Sequence, residues 1–153
     1  MIQDIEAIIN RETEAWNTQD IKLLLSIFHS DMVWVWPKNS NSHNPVDWET
    51  PQGKFNSERW TSIYTNMFSK FTLEQNNRKT IKIIETQEKD GGFAVVDIDT
   101  IWKNKVTGEL MQWQGRYRFA NYRLQLFAQF KLFVSPKSSR YLSTTADSLR
   151  LML

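Results

Sequence analysis

A chain of 153 residues that is 41% hydrophobic and 24% charged, with only five Gly and four Pro, is long enough for one globular core, which excludes a disordered or fibrous protein. It contains no cysteine and only two histidines, His29 and His43, which excludes disulfides, thiolate metal sites, a cysteine nucleophile and a His-rich metal centre; neither a metal nor a cofactor is expected. The net charge of +2 hides a division: residues 1–110 carry 12 basic and 16 acidic side chains, whereas residues 111–153 carry 7 basic and 1 acidic.

The opening Met1-Ile2-Gln3-Asp4-Ile5-Glu6 carries acids and no basic leader, so no secretory or transit peptide is expected. From Asp4 to Trp16 the apolar residues Ile5, Ile8, Ile9, Ala15 and Trp16 follow the 3.6-residue period of a helix with one buried face. Asn17-Thr18-Gln19 breaks the pattern. Asp20 then suits an N-cap, and Ile21, Leu24, Leu25 and Phe28 mark a second short helix. Its apolar run, Leu23 to Phe28, is far shorter than the roughly 18 residues needed to span a bilayer, and a soluble cytoplasmic protein is expected. His29, at the end of this helix, would meet the negative end of the helix dipole.

Met32-Val33-Trp34-Val35-Trp36 is β-branched and aromatic and ends at Pro37, the pattern of a strand. Lys38 to Phe55 is rich in Asn, Ser, Pro and Gly and reads as a long loop of the kind that often carries function. Asn56 or Ser57 can cap a third helix, whose Trp60, Ile63, Tyr64, Met67, Phe68 and Phe71 form a long apolar stripe. The period then changes to two. Strands are expected over Thr80–Thr86, Phe93–Lys103, Glu109–Phe119 and Arg123–Val134, with turns at Lys89-Asp90-Gly91-Gly92, Asn104–Gly108 and Ala120-Asn121-Tyr122. The fold class is therefore α+β, three helices followed by an antiparallel meander. Residues 1–134 form one domain. Residues 135–153 hold seven Ser or Thr and read as a loosely ordered tail.

The segment Glu14-Ala15-Trp16-Asn17-Thr18-Gln19-Asp20 and the run Ser30-Asp31-Met32-Val33-Trp34-Val35-Trp36-Pro37 resemble the helix 1 to helix 2 junction and the first strand of the NTF2-like or SnoaL-like superfamily, which includes ketosteroid isomerase. The order of elements over residues 4–119 is similar as well. The resemblance implies a cone-shaped, cystatin-like fold in which three N-terminal helices pack on a curved antiparallel sheet. It does not imply one chemistry, because the fold hosts isomerases, cyclases, dehydratases, hydrolases and non-enzymes. Aligned on Asp20, Pro37 and Arg118-Phe119, the three catalytic positions of ketosteroid isomerases fall on Glu12, Trp36 and Gly115. None has the isomerase residue type. Trp36 exchanges no proton near neutrality and Gly115 offers no side-chain donor, so steroid isomerisation by that mechanism is disfavoured.

Several residues could still carry chemistry. Glu12 projects from the apolar stripe of helix 1, where desolvation makes a carboxyl a candidate acid or base; alternatively, it sits at a tolerant stripe edge or pairs with a buried cation from the sheet. Tyr64 and Arg116 are its candidate polar helpers. Trp16, Trp34, Trp36, Trp60, Trp102, Trp113 and Tyr117 are candidate ligand-binding residues, since aromatics can line a cavity as well as fill a core. His43, Asp97 and Asp99 form an alternative polar set. If the Val106-Thr107 turn sets Ile98 opposite Gly115, Asp97 faces Arg116, and a cross-strand ion pair explains it more simply than catalysis does. The basic residues Arg116, Arg118, Arg123 and Lys131 are spread along strands without a nucleic-acid motif, so no nucleic acid and no membrane partner is expected. The expectation is a homodimer formed through the outer face of the sheet and binding a small hydrophobic or polyketide-like molecule. It would act as a cofactor-free isomerase, cyclase, dehydratase or hydrolase, or alternatively as a non-catalytic binding or dimerisation module.

Overall fold

Two helices joined by a tight turn begin the chain. Helix α1 (Ile2–Thr18) buries Ile5, Ile8, Ile9, Glu12 and Ala15 along one stripe, as its 3.6-residue pattern requires. It ends where Gln19 adopts φ +53° and the Asp20 N–H reaches back to the Ala15 carbonyl at 3.0 Å, a left-handed residue closing the last turn. Asp20 then serves a second purpose. Its carboxylate accepts from the Leu23 N–H at 2.9 Å and caps α2 (Ile21–Ile27).

The computed structural model describes residues 2–38, 44–87, 91–122 and 125–132, with the backbone alone for Trp36, Pro37, Pro45 and the described residues after Arg116. His43, Lys89, Asp90 and the expected tail 135–153 lie outside the described residues.

Strand β1 (Phe28–Pro37) starts directly after α2, four residues before the expected Met32. His29 is therefore a strand residue, and its Nδ1 accepts from the Asp31 N–H at 3.1 Å instead of meeting a helix end. Within the long segment after β1 lie a single 3₁₀ turn (Pro45–Asp47) and the two-residue strand β2 (Trp48–Glu49), which pairs antiparallel with Trp36 and Pro37. Helix α3 (Ser57–Lys70) is capped by Asn56, whose side chain accepts from the Arg59 N–H at 2.9 Å. It buries Trp60, Tyr64, Met67 and Phe68.

Three long strands follow: β3 (Phe71–Glu85), β4 (Gly91–Asn104) and β5 (Leu110–Tyr122). β3 begins at Phe71, not at Thr80, and runs through the polar stretch Glu74-Gln75-Asn76-Asn77-Arg78-Lys79. Register shifts between Leu73 and Gln75 and between Thr80 and Lys82 break the period of two that a sequence reader looks for. Gly91 and Gly92 belong to β4 and not to the turn before it. The β4–β5 turn is held by Asn104, whose Oδ1 accepts from the Val106 and Thr107 N–H groups at 2.9 and 3.1 Å, with Gly108 at φ +72°. Last comes β6 (Gln125–Leu132).

The six strands form one sheet in the order β2-β1-β6-β5-β4-β3. The meander from β3 to β6 is antiparallel, but β6 inserts beside β1 and pairs with it in parallel, so the sheet is mixed at that one seam. Along β4, Ala94, Val96, Ile98, Thr100 and Trp102 are all buried, which defines an inner face. The helices pack there, and Phe28, Met32 and Trp34 of β1 join the same core. The alternate residues of β4, including Asp97 and Asp99, face outward.

Candidate functional site

Glu12 is the one buried carboxylate among the described residues, with only 3% of its surface exposed. Its position one turn before Trp16 places the two on the same side of α1, and its Oε1 accepts from Trp16 Nε1–H at 3.0 Å. Its Oε2 accepts from the guanidinium of Arg78, whose side chain is 8% exposed. Arg78 stands opposite Ile98, so β-strand alternation aims it at the inner face. Asn76 steadies it, accepting from Arg78 Nε–H at 3.0 Å. Two of the alternatives open for Glu12 thus meet in one geometry: it lies inside the stripe, and it pairs with a cation from the sheet.

Tyr64 lies nearby, fully buried. Burial pushes its phenol well above the usual tyrosine range, and the negative charge of Glu12 adds to the effect. Its hydroxyl has no hydrogen-bond partner among the described residues, and the same holds for Trp60 Nε1 and Thr100 Oγ1. Trp60 and Tyr64 occupy successive turns of α3, with ring centroids 5.4 Å apart. Thr100 sits on the inner face of β4 between Ile98 and Trp102, opposite Asn76 and Trp113. Sequence reading passed over both Arg78 and Thr100. For Thr100 a signal existed, since it has the parity of Ile98 and Trp102.

The expected aromatic residues are largely brought together. Trp34 stacks on Trp60 at 5.0 Å, and Tyr64 stacks on Phe68, which stacks on Trp102. Trp16 meets Tyr64, Phe68 and Trp102 edge-on at 5.4–5.9 Å, a favoured geometry that also turns its N–H towards Glu12. Trp113 is half-buried on the inner face. Trp36 is placed by its backbone opposite Glu49 and Tyr117 by its backbone opposite Val96; their side chains lie outside the described residues.

Arg116, expected beside Glu12, is on the other face of the sheet. The register that sets Ile98 opposite Gly115 sets Asp97 opposite Arg116, and alternation sends both outward. There the guanidinium donates two hydrogen bonds to Asp97, at 2.6 and 2.8 Å. These bonds hold the Asp97 carboxyl below its usual range, with Lys79 adding to the effect, and raise Arg116. Asp99 accepts from Gln112 at 2.9 Å and from Gln75 at 3.3 Å. Asp97, Asp99 and Arg116, with Asn77, Lys79 and Gln114, border an open groove of about 310 Å³. The two sets of polar candidates are therefore separated by the thickness of the sheet. Among the described residues, no three His, Asp or Glu side chains come together as a metal site, and no helix is long and apolar enough to cross a membrane.

No protein-family model and no curated protein sequence matches the chain. Solved structures do. A ketosteroid isomerase-like protein from Erwinia carotovora atroseptica aligns with a TM-score of 0.63 at 17% identity, covering 86% of this chain and 95% of its own. The β subunit of the benzoate 1,2-dioxygenase from Burkholderia mallei aligns with a TM-score of 0.58 at 15% identity, covering 86% and 89%. An NTF2-like protein from Rhodospirillum rubrum aligns with a TM-score of 0.57 at 16% identity, covering 85% and 98%. Identities this low speak for shared architecture and not for shared chemistry.

Proposed function

We propose that this chain, which has the NTF2-like, ketosteroid isomerase-like fold, holds a small hydrophobic molecule between its helices and the inner face of its sheet. One observation carries the reading: a buried ion pair, Glu12 with Arg78, set into an apolar interior in which Trp34, Trp60, Tyr64, Phe68 and Trp102 join Ile, Leu, Val and Met side chains. Taking each ion out of water costs several kcal/mol, about what a well-packed apolar pair would avoid. Charged groups kept in such a place, next to a perturbed tyrosine, mark a site better than they mark a core.

The binding form of this reading is favoured over the catalytic one. A cofactor-free isomerase, cyclase, dehydratase or hydrolase would use Glu12 as its acid or base. Yet both Glu12 oxygens are already hydrogen-bonded, one by an indole and one by a guanidinium, so the carboxylate serves as a fixed charge. Trp16, Trp34, Trp60 and Trp102 supply the apolar wall. Titration with the bicyclic probes tetralin and 1-tetralone, followed by tryptophan fluorescence, tests this. Saturable one-to-one quenching by either probe, weakened in Trp60→Phe, is expected; no saturable response to either overturns the reading.

A second reading, a dimerisation module, draws on the outer face. There Ile84 and Phe93 stand opposite each other on neighbouring strands, each 47% exposed, beside the mixed charges of Lys79, Asp97, Asp99 and Arg116. A second copy of the chain would cover them. Light scattering at micromolar concentration is expected to give a dimer that Phe93→Lys dissociates, and a monomeric wild type overturns it.

A further inference from the structure

The outer face of the sheet carries its charges in rows. Strand register sets Lys79 of β3, Asp97 of β4 and Arg116 of β5 side by side, and Asn77, Asp99 and Gln114 side by side in the next outward-facing row. Alternation turns all six outward, and all six line the open groove of about 310 Å³. The first row holds two cations and one carboxylate, a net charge of +1, and the second holds one carboxylate between two amides, a net charge of −1. Neither excess is neutralised by a direct contact among the described residues. Arg116 donates to Asp97 through Nε and Nη2, whereas the Lys79 ammonium acts on Asp97 only at longer range. Asp99 accepts from the neutral amides of Gln75 and Gln112 and from no cation.

The two rows lie roughly 7 Å apart, the rise of two strand residues. A ligand with a single charge satisfies one row and is repelled by the other: an anion drawn to Lys79 and Arg116 meets Asp99, and a cation drawn to Asp99 meets Lys79. A neutral polyol can hydrogen-bond to either row but leaves both excess charges uncompensated. A molecule with both charges, held several bonds apart, is attracted at each end. We propose that this groove binds a small zwitterion of the ω-amino acid type, its carboxylate between Lys79 and Arg116 and its ammonium against Asp99, with the Asn77 and Gln114 amides at its flanks. Because the groove lies on the face of the sheet opposite the aromatic interior, its occupancy is independent of what that interior holds.

Four probes separate the outcomes: 4-aminobutyrate with both charges, butyrate and butylammonium with one each, and sorbitol with none. Each is titrated into the isotope-labelled chain, and binding is read from the side-chain amide resonances of Asn77, Gln112 and Gln114. A second copy seated on this face would shield the groove, so wild type and Phe93→Lys are both used. The expected result, in both or in Phe93→Lys alone, is a saturable shift with 4-aminobutyrate binding about fivefold or more tighter than either single-charge probe, the scale of one exposed charge contact. Sorbitol should bind more weakly than 4-aminobutyrate. Lys79→Gln should reduce the affinity for 4-aminobutyrate towards that for butylammonium, and Asp99→Asn towards that for butyrate. These exposed or half-exposed substitutions report separately on the two ends, so either alone keeps the test sound should the other fold poorly. Equal or tighter binding of butyrate or butylammonium overturns the assignment in favour of a simple ion site, and equal or tighter binding of sorbitol overturns it in favour of hydrogen bonding alone. No saturable shift in either background overturns it outright.

Discussion

Glu12 on α1 and Arg78 on β3 are 66 residues apart in sequence and meet as an ion pair with side chains 3% and 8% exposed. The pair ties the first helix to the edge strand of the sheet, where Trp16 donates to Glu12 and Tyr64 packs edge-on against Trp16. Neither charge is tolerable there alone. Arg78→Met is expected to lower the stability of the fold by about 3–5 kcal/mol, because it strands a carboxylate away from water. Glu12→Gln should cost a comparable amount, and the double variant far less than the sum of the two. Urea denaturation at constant m-value measures this. Simple additivity would show that the two charges do not support each other.

Tyr64 gives the interior a signature in alkali. With its phenol raised well above 10 by burial and by Glu12, the folded chain keeps that proton while the unfolded chain releases it near pH 10. The unfolded state then binds fewer protons, so stability falls as pH rises above 10. Of the four tyrosines, Tyr64 should ionise only on unfolding, seen as an absorbance step at 295 nm that coincides with loss of near-ultraviolet circular dichroism. In Tyr64→Phe this step disappears and the decline above pH 10 becomes shallower.

On the outer face the opposite end of the pH scale matters. Asp97 is held below its usual range chiefly by its hydrogen bonds from Arg116, so its contribution is present above the unfolded carboxyl value near 4 and is lost as pH falls through its lower folded value. Both side chains are about two-fifths exposed, so solvent screening keeps the contribution of the pair small. Asp97→Asn should therefore destabilise the protein slightly at pH 7 and not at all near pH 2. A difference that persists undiminished at pH 2 would assign the effect to packing.

How much of this was visible beforehand depends on where tertiary contacts overrode local pattern. Helix α1 was legible because Ile5, Ile8, Ile9 and Glu12 share a stripe that burial alone dictates. The facing of Asp97 and Arg116 was legible too, since a short turn fixes hairpin register. Arg78 was not. It lies in a run of Glu, Gln, Asn, Arg and Lys with little strand propensity, which is extended because each residue from Gln75 to Lys79 has a register partner on β4. Two bulges then scramble the alternation that would have revealed which of those polar residues faces inward. Placing Arg116 beside Glu12 failed for a related reason: a residue's face follows from its register parity and not from its charge. Trp60 and Tyr64 are identifiable from their stripe on α3, though nothing in that stripe signals that the Trp60 indole N–H and the Tyr64 hydroxyl have no hydrogen-bond partner among the described residues.

Gly92 offers a sharp packing test. A Cβ there would come within 2.5 Å of the Ile84 carbonyl oxygen and 2.7 Å of Ile5 Cδ1. Gly92→Ala is expected to cost about 1–3 kcal/mol through overpacking, read as a lower thermal midpoint. Adding Ile5→Val, which removes the offending methyl, should recover only part of the loss, because the carbonyl belongs to the backbone and cannot rotate away. Full recovery would locate the whole clash in the side chain.

The parallel seam between β1 and β6 dictates an order of assembly. A strand formed by residues 28–37 waits for one formed by residues 125–132, and β2 is attached only through β1. On the ribosome, the helices and the β3–β4 hairpin can meet early, but the sheet stays open along β1 until almost the entire described chain has emerged. Contacts this distant in sequence slow folding, and in the interval β1 presents an unpaired apolar edge, Met32 and Trp34 included, to any other extended chain nearby.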